Sequence, residues 1–230
     1  MDNAERTPAA GAPLARRRLR LAAALAITIA AAAAPAHAQV AGSACGGLAN
    51  AYGPYDYRTD RSKLEIVESH HFTPQVEMLI KGQEGYVGSD IDYTLRAFPN
   101  HHRALLAMMR YGEKLKLERV GGANYNVECY FIRATSFRPN DTTVRMLYAT
   151  YLNGRQQRAQ ALQQLALAVS YASDSALTHY NIGLVYTDLG EWDKALEQAH
   201  EAMRLGFDRS DLKDRLVAAQ KWAEPASAPR

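Results

Sequence analysis

The sequence predicts an all-α protein built from stacked helical hairpins. Two observations carry that expectation. Small and apolar residues recur at a fixed interval of 34 through the carboxy-terminal half. A last segment from Ser210 sets Leu212, Leu216 and Ala219 on one helical face and Asp211, Lys213 and Asp214 on another, as the polar end-cap of a helical array requires.

Residues 1–38 read as a secretory signal peptide. Arg16, Arg17, Arg18 and Arg20 form a basic cluster, Leu21 to Ala34 an apolar run ending at Pro35, and Ala36-His37-Ala38 a small-x-small cleavage site. An uncleaved anchor is the alternative, but the run is short for a span and has a processing site where a stop-transfer flank would be. Residues 39–72 are expected to form an extended or looped arm. Gly53-Pro54 signals a turn, and Leu64, Ile66 and Glu68 alternate as in a short strand or an extended strip laid on the helices.

Residues 73–140 are expected to be divergent helical hairpins. Thr73-Pro74 supplies an N-cap and a first-turn proline for a helix carrying Val76, Leu79 and Ile80, which Gly82, Gly85 and Gly88 break. A second helix runs from about Ser89 to Phe98, with Ser89 or Asp90 as cap, Ile91, Leu95 and Phe98 on one face, and Pro99-Asn100 as stop. A third begins at Asn100 and carries Ala104, Leu105, Met108 and Tyr111. After a polar connection with Gly121-Gly122, a fourth covers about Asn126 to Phe137 and ends at Arg138-Pro139.

Two repeats follow, at 141–175 and 176–209. Ala134, Ala168 and Ala202 are spaced by 34, as are Ala149 and Gly183, Leu152 and Tyr186, Ala161 and Ala195, Leu162 and Leu196, and Leu165 and Ala199. Gly183 and Ala195 are small enough for the two helices of a hairpin to approach closely. Ala202 does the same toward the next hairpin, Tyr186 and Trp192 fill the wedge, and Gly190 makes the tight turn. Residues 210–223 form the capping helix, and the tail 224–230 is expected to be disordered.

The run Tyr180-Asn181-Ile182-Gly183-Leu184-Val185-Tyr186, then Leu189-Gly190-Glu191-Trp192-Asp193-Lys194-Ala195-Leu196, then Ala202-Met203-Arg204-Leu205, closely resembles the tetratricopeptide repeat. The resemblance implies a right-handed superhelix of three to four such hairpins, with a looped N-terminal arm and a C-terminal capping helix. In that family the first helix of each hairpin lines a concave groove. The groove candidates are therefore Tyr180, Leu184, Thr187 and Asp188 from the last unit and Met146, Thr150 and Asn153 from the one before. Departures are plain: Gln156 stands where the turn glycine belongs, Gly206-Phe207 replaces the closing proline, and the unit at 100–140 holds about eight extra residues between its helices. The wider chain also resembles a set of secreted bacterial repeat proteins of no established activity. The blocks that carry this are Cys45-Gly46, Gly53-Pro54-Tyr55-Asp56-Tyr57, His71-Phe72-Thr73-Pro74, Asp92 to Leu105 and Glu128-Cys129-Tyr130-Phe131.

Charge and cysteine usage narrow the function classes. The chain has 27 Lys+Arg against 24 Asp+Glu, and removing residues 1–38 leaves 22 of each. The basic balance thus belongs to the targeting segment, and the mature chain lacks the field that nucleic-acid binding draws on. No second apolar run is long enough to cross a bilayer, so the mature chain is not expected to be membrane-embedded. In an exported chain the pair Cys45 and Cys129 reads first as a disulfide pinning the arm to the helical body; two unpaired thiols are the alternative.

No catalytic set emerges. No phosphate-binding glycine loop and no Cys-x-x-Cys-His haem site is present, and no cofactor is expected. His70-His71 and His101-His102 attract attention, but neighbours on a helix point about 100° apart and cannot clamp one ion as an i, i+4 pair does. A metal site through His71 and His101, completed by Asp90, Asp92, Glu68 or Glu77, is the lesser alternative. The expected function is an exported, non-catalytic adaptor in the periplasm or outside the cell that binds a protein or peptide. Its rival is a small-ligand or metal-binding protein using the 45–105 region.

Overall fold

The computed structural model describes residues 45–225 apart from 84 and 208. The signal peptide, residues 39–44 of the arm and residues 226–230 of the tail lie outside the described residues. Within them the fold is all-α, ten helices and no strand: α1 (Arg61–His71), α2 (Pro74–Glu77), α3 (Val87–Ala97), α4 (His102–Leu115), α5 (Val127–Phe137), α6 (Thr142–Gly154), α7 (Arg158–Tyr171), α8 (Ala176–Asp188), α9 (Trp192–Arg204) and α10 (Ser210–Ala218). No described helix is long and apolar enough to cross a membrane.

The 34-residue period is realised atom for atom at the helix ends. Asp141 caps α6 by accepting the Val144 N–H (3.2 Å), and Ser175 caps α8 by accepting the Thr178 N–H (3.3 Å). Both first helices end through the same bonds: Gln157 N–H to the Leu152 carbonyl and Glu191 N–H to the Tyr186 carbonyl, each 2.9 Å. The connections 155–157 and 189–191 are each three residues long, whereas 116–126 between α4 and α5 is eleven. The insertion expected in the upstream unit is therefore this connection. α6 packs on α7 and α8 on α9, while α6 also touches α4, α5 and α8, so the pairs join side by side. Ala134, Ala149, Ala161, Ala168, Ala195 and Ala202 are buried where neighbouring helices come together.

Gly183 does more than fit its own hairpin. A methyl group there would lie 2.4 Å from Leu212 Cδ2 on α10 and 3.3 Å from Gln198 Cβ on α9. The glycine thus sets the approach of the capping helix as well as of its partner. Tyr186 is buried as expected; Trp192 is half-buried. Gly206 takes a positive φ of 87° after α9, and α10 starts at Ser210 as the sequence predicts.

The amino-terminal region departs from expectation. The arm is not extended throughout 39–72, because Arg61–His71 is helical. Leu64 and Val67, three residues apart, are buried on one face, and Ile66 between them is 56% exposed. The alternation at 64–68 was a helical face sampled at the wrong period. The helix from Pro74 lasts one turn, because Leu79 adopts φ 59°, and Ile80 is 65% exposed rather than on an apolar face. Thr73 makes no capping bond. α3 begins at Val87 and includes Gly88, so Gly88 is not a breaker, and neither Ser89 nor Asp90, both inside the helix, caps it. α4 begins at His102, capped by His101, rather than at Asn100.

Cys45 and Cys129 form a disulfide, with Cα atoms 5.1 Å apart and 84 residues between them in sequence. In the chain-entropy model a loop of that size contributes about 4–5 kcal/mol. One turn further along α5, the buried Arg133 donates to the carbonyls of Cys45, Gly46 and Gly47, and its guanidinium lies 4.5 Å from the Tyr125 ring centroid. Residues i and i+4 share a helix face, so a single face of α5 holds the arm covalently and by hydrogen bonds. Beyond it, Tyr52, Tyr55, Tyr57 and Tyr93 pack around a small second core of Leu64, Val67, Ala97 and Phe98.

Candidate functional site

The upstream blocks converge on two polar assemblies. The first is a buried clamp between the arm, the α3–α4 turn and the start of α6. The Asn100 side-chain amide donates to Asp56 Oδ1 (2.7 Å) and Asp141 Oδ2 (2.9 Å), and its oxygen accepts the Tyr57 N–H (3.0 Å). Two carboxylate neighbours fix which end of the amide is nitrogen. Asp56 also accepts from Arg58 and from Arg138 Nε (2.6 Å), and Asp141 from His102 Nε2 (2.9 Å). Burial alone would raise the Asp56 carboxyl, but hydrogen bonds from Arg58, Asn100 and Arg138 outweigh it and hold the group below the ordinary carboxylate range. The same balance lowers Asp141, with His102 the main donor.

His101 belongs to this structural set. Its Nδ1 accepts the Ala104 N–H (3.1 Å), which leaves the proton on Nε2 to be donated to Glu68 Oε1 (3.0 Å). The ring lies between Tyr57 and Phe72, at centroid distances of 4.2 and 4.9 Å. Burial pushes its pKa down, against the opposing pull of Glu68. Both nitrogens are engaged and the ring is fully buried, so His101 has no lone pair for an ion.

The second assembly is open. His71 Nδ1 lies 3.0 Å from Asp90 Oδ1, and Asp90 Oδ2 accepts the Gln83 N–H (2.8 Å). The His71 ring stacks on Tyr93 with centroids 3.9 Å apart. A carboxylate facing Nδ1 accepts a hydrogen bond from an N–H there, so the tautomer that fits this contact carries its lone pair on Nε2. His70, His71, Gln83, Gly85, Ser89 and Asp90 line a cleft of about 570 Å³. On the other side of His70 and His71 lies a hollow of about 220 Å³, lined by Tyr52, Ile66, Val67 and Tyr93. Among the described residues no hydroxyl or thiol hydrogen-bonds the His71 ring, and no group of three or more His, Cys, Asp or Glu side chains is arranged to hold a metal. His71 and His101 face different carboxylates, Asp90 and Glu68, and share no site.

The groove candidates divide. Tyr180 is only 5% exposed, lies against Phe207 and donates to Asp211 Oδ2 on α10 (3.0 Å). Thr187 is buried and, with Asp188, receives Arg215 Nη1 from α10, at 2.9 and 2.7 Å. Met146 is buried as well. Tyr180, Thr187 and Met146 are therefore not open contact residues: the capping helix lies over the first two, and packing encloses the third. Leu184 and Asn153 are half-buried, and Thr150 and Asp188 exposed. Leu177, which the sequence reading did not single out, is 53% exposed at the start of α8.

No protein-family model matches the chain, and no curated protein does either. Geometry is thus what bears on function: a repeated hairpin whose first helices keep Leu184, Asn153, Thr150, Asp188 and Leu177 accessible, and an open cleft at His71.

The sequence marks the residues of both assemblies but not their meeting. Asp56, Asn100 and Asp141 each sit at a turn or helix start, where a short polar side chain reads as a local cap, and nothing local shows that they meet. Asp90 was among the candidate partners for the histidines, but for metal binding; its actual contact is the second-sphere kind, a carboxylate orienting one ring.

Proposed function

We propose that the protein is an exported, non-catalytic scaffold of the tetratricopeptide kind that binds a protein or peptide segment along the first helices of its hairpins. The observation that carries this reading is the repetition of cap, turn and small-residue contacts at 34-residue spacing through α6–α9, continued by α10. Such a stack is a right-handed superhelix in the family it resembles, and its use is to present an extended surface. Export to the periplasm or beyond is supported by the composition of residues 1–38 and by the disulfide, a bond that persists in oxidising compartments.

A photoreactive amino acid placed at Leu184 or Asn153 tests the surface, with the same group at exposed Leu167 on α7 as control. Irradiation in an envelope extract is expected to give discrete adducts from positions 184 and 153 and none of the same mass from 167. Identical labelling from all three positions would overturn the proposal.

A further inference from the structure

We propose that the cleft between the carboxy-terminal ends of α4 and α6 binds a free α-amino acid with an apolar side chain. This goes beyond the scaffold reading and does not depend on it.

The cleft exists because the connection 116–126 folds back onto the helices it joins. Leu117 N–H donates to the Gly112 carbonyl (3.0 Å), and Val127 N–H donates to the Glu118 carbonyl (2.7 Å). Gly112 permits this approach, since a methyl group there would lie 2.8 Å from Val127 Cγ2 and 3.1 Å from the Leu117 carbonyl oxygen. Met109, Leu117 and Val127 form an apolar lining, and Tyr151 and Gly154 face the cleft from α6. Its volume is about 250 Å³. At roughly 30 Å³ per water, that is room for about eight waters, or for a solute with a similar number of heavy atoms.

Two side chains prepare the cleft for an ammonium group. Tyr151 is only 7% exposed, and among the described residues its hydroxyl has no hydrogen-bond partner. That oxygen is not sealed in the core but still reaches solvent, and the cleft is the opening that Tyr151 lines. Glu113 reaches across from α4: its Oε1 would lie 3.8 Å from a methyl group on Gly154. Among the described residues Glu113 has no ion-pair partner, because Arg155 turns to Glu118 instead (2.8 Å). The field at the phenol is negative as well. Burial pushes the Tyr151 pKa up, and the carboxylates of Glu128, Glu118 and Glu113 add to this against the opposing Arg155. Both α4 and α6 end here, and the partial negative charge of a helix carboxy terminus favours a cation.

A carboxylate is provided for beside it. Lys116 and Arg155 also line the cleft. Only one nitrogen of the Arg155 guanidinium is taken by Glu118, which leaves N–H donors on the others. An α-amino acid matches all three features at once. Its ammonium meets Glu113 and the Tyr151 hydroxyl oxygen, its carboxylate meets Lys116 and Arg155, and its side chain meets Met109, Leu117 and Val127.

Other ligand classes fit less well. A simple amine leaves Lys116 and Arg155 facing a like charge, and a simple acid meets Glu113 and two helix carboxy termini. A hard cation needs several oxygen ligands, and Glu113 is the one carboxylate among the described lining residues.

The test is an NMR titration of the full mature chain with L-leucine and with its single-charge analogues, isopentylamine and 4-methylpentanoate. Leucine is expected to shift the Leu117, Val127 and Gly154 amide signals saturably. Losing one hydrogen bond weakens binding by about three- to tenfold, and losing one to a charged group by about tenfold or more. Each analogue should therefore bind about tenfold or more weakly than leucine. Tyr151→Phe should raise the Kd for leucine by about three- to tenfold, and Glu113→Gln by about tenfold or more. Neither side chain gives up a hydrogen bond or ion pair to the described residues, so both variants should melt as the parent does. The proposal is overturned if leucine does not saturate these signals, if either analogue binds as tightly as leucine, or if both variants bind with unchanged Kd.

Discussion

Gln156 and Gly190, 34 residues apart, hold the same left-handed backbone at the same turn, with φ of 62° and 71°. Each closes the three-residue link between the two helices of its hairpin through the same bond, Gln156 N–H to the Asn153 carbonyl and Gly190 N–H to the Thr187 carbonyl. The missing turn glycine therefore did not change the turn; the glutamine took on its conformation. For an L-residue that conformation costs about 1–2 kcal/mol. Gln156 is exposed and donates no side-chain bond that would be lost. Gln156→Gly should thus raise stability by up to about 1 kcal/mol after the greater unfolded-state freedom of glycine is subtracted. Gly190→Gln should lower it by about 1 kcal/mol. Urea midpoints at constant m-value check both.

Asn100 is the one neutral group between two carboxylates, and its amide supplies a proton to each. Asn100→Ala removes two hydrogen bonds to charged acceptors and orphans the Tyr57 N–H, and should cost about 3 kcal/mol. Asn140→Ala, at an exposed site with a single 3.4 Å contact to Arg58, should cost almost nothing. Thermal melts give the difference, and limited proteolysis in the 45–60 segment reports whether the arm has come loose. Acid should act on the same clamp. Asp56 and Asp141 are held below their ordinary values, so their contribution is complete above about pH 4 and is lost as pH falls through their folded pKa values.

His101 works in a different pH window. Its folded pKa lies below the ordinary value of about 6.5, chiefly through burial. The unfolded chain binds that proton more readily, so the stability His101 contributes is complete above about pH 6.5 and declines as pH falls below it. Protonation at Nδ1 also removes the acceptor that caps α4. The melting temperature is expected to drop between pH 7.5 and 5.5. His101→Asn keeps an N-cap acceptor but has no proton to take up. That variant should be less stable at pH 7.5 and flatter across the range. A parallel pair of curves would show that His101 is not the titrating group.

How much of this was legible in the sequence follows the range of the interactions. Asp141 and Ser175 bond amides three residues on and Gly206 turns the chain locally, and the helix ends they mark are where local chemistry puts them. The period carried α6–α9 because caps, turn bonds and buried small residues recur in both hairpins. α1 was missed because only Leu64 and Val67 of its face are buried, too few positions to separate a period of 3.6 from one of 2. The clamp joins Asp56, Asn100 and Asp141 across 85 residues of chain. The His71–Asp90 pair depends on where α1 docks against α3. Tyr180 and Thr187 occupy positions that the repeat resemblance gives to the groove, yet α10 follows directly and lies against them.

That last contact sets a further expectation. Leu212 Cδ2 lies where a methyl group on residue 183 would intrude, at 2.4 Å. Leu212 is itself buried beside Leu216, so it has little room to turn aside. Gly183→Ala gains about 1 kcal/mol in helix propensity but overpacks this contact, which typically costs 1–3 kcal/mol. The net effect should be destabilisation concentrated at α10. Hydrogen exchange should quicken at the amides of α10 while those of α6 and α7 keep their protection. The Tyr180 hydroxyl would lose Asp211, and the Asp188–Arg215 pair would open, freeing Thr187 and Asp188 on α8. If α10 acts as a cover over the last stretch of binding surface, the same substitution should bring photo-adducts to a photoreactive aromatic group placed at the buried Tyr180 that are absent without it. Uniform acceleration of exchange across α6–α9 would instead mean that Gly183 serves the whole stack rather than its cap.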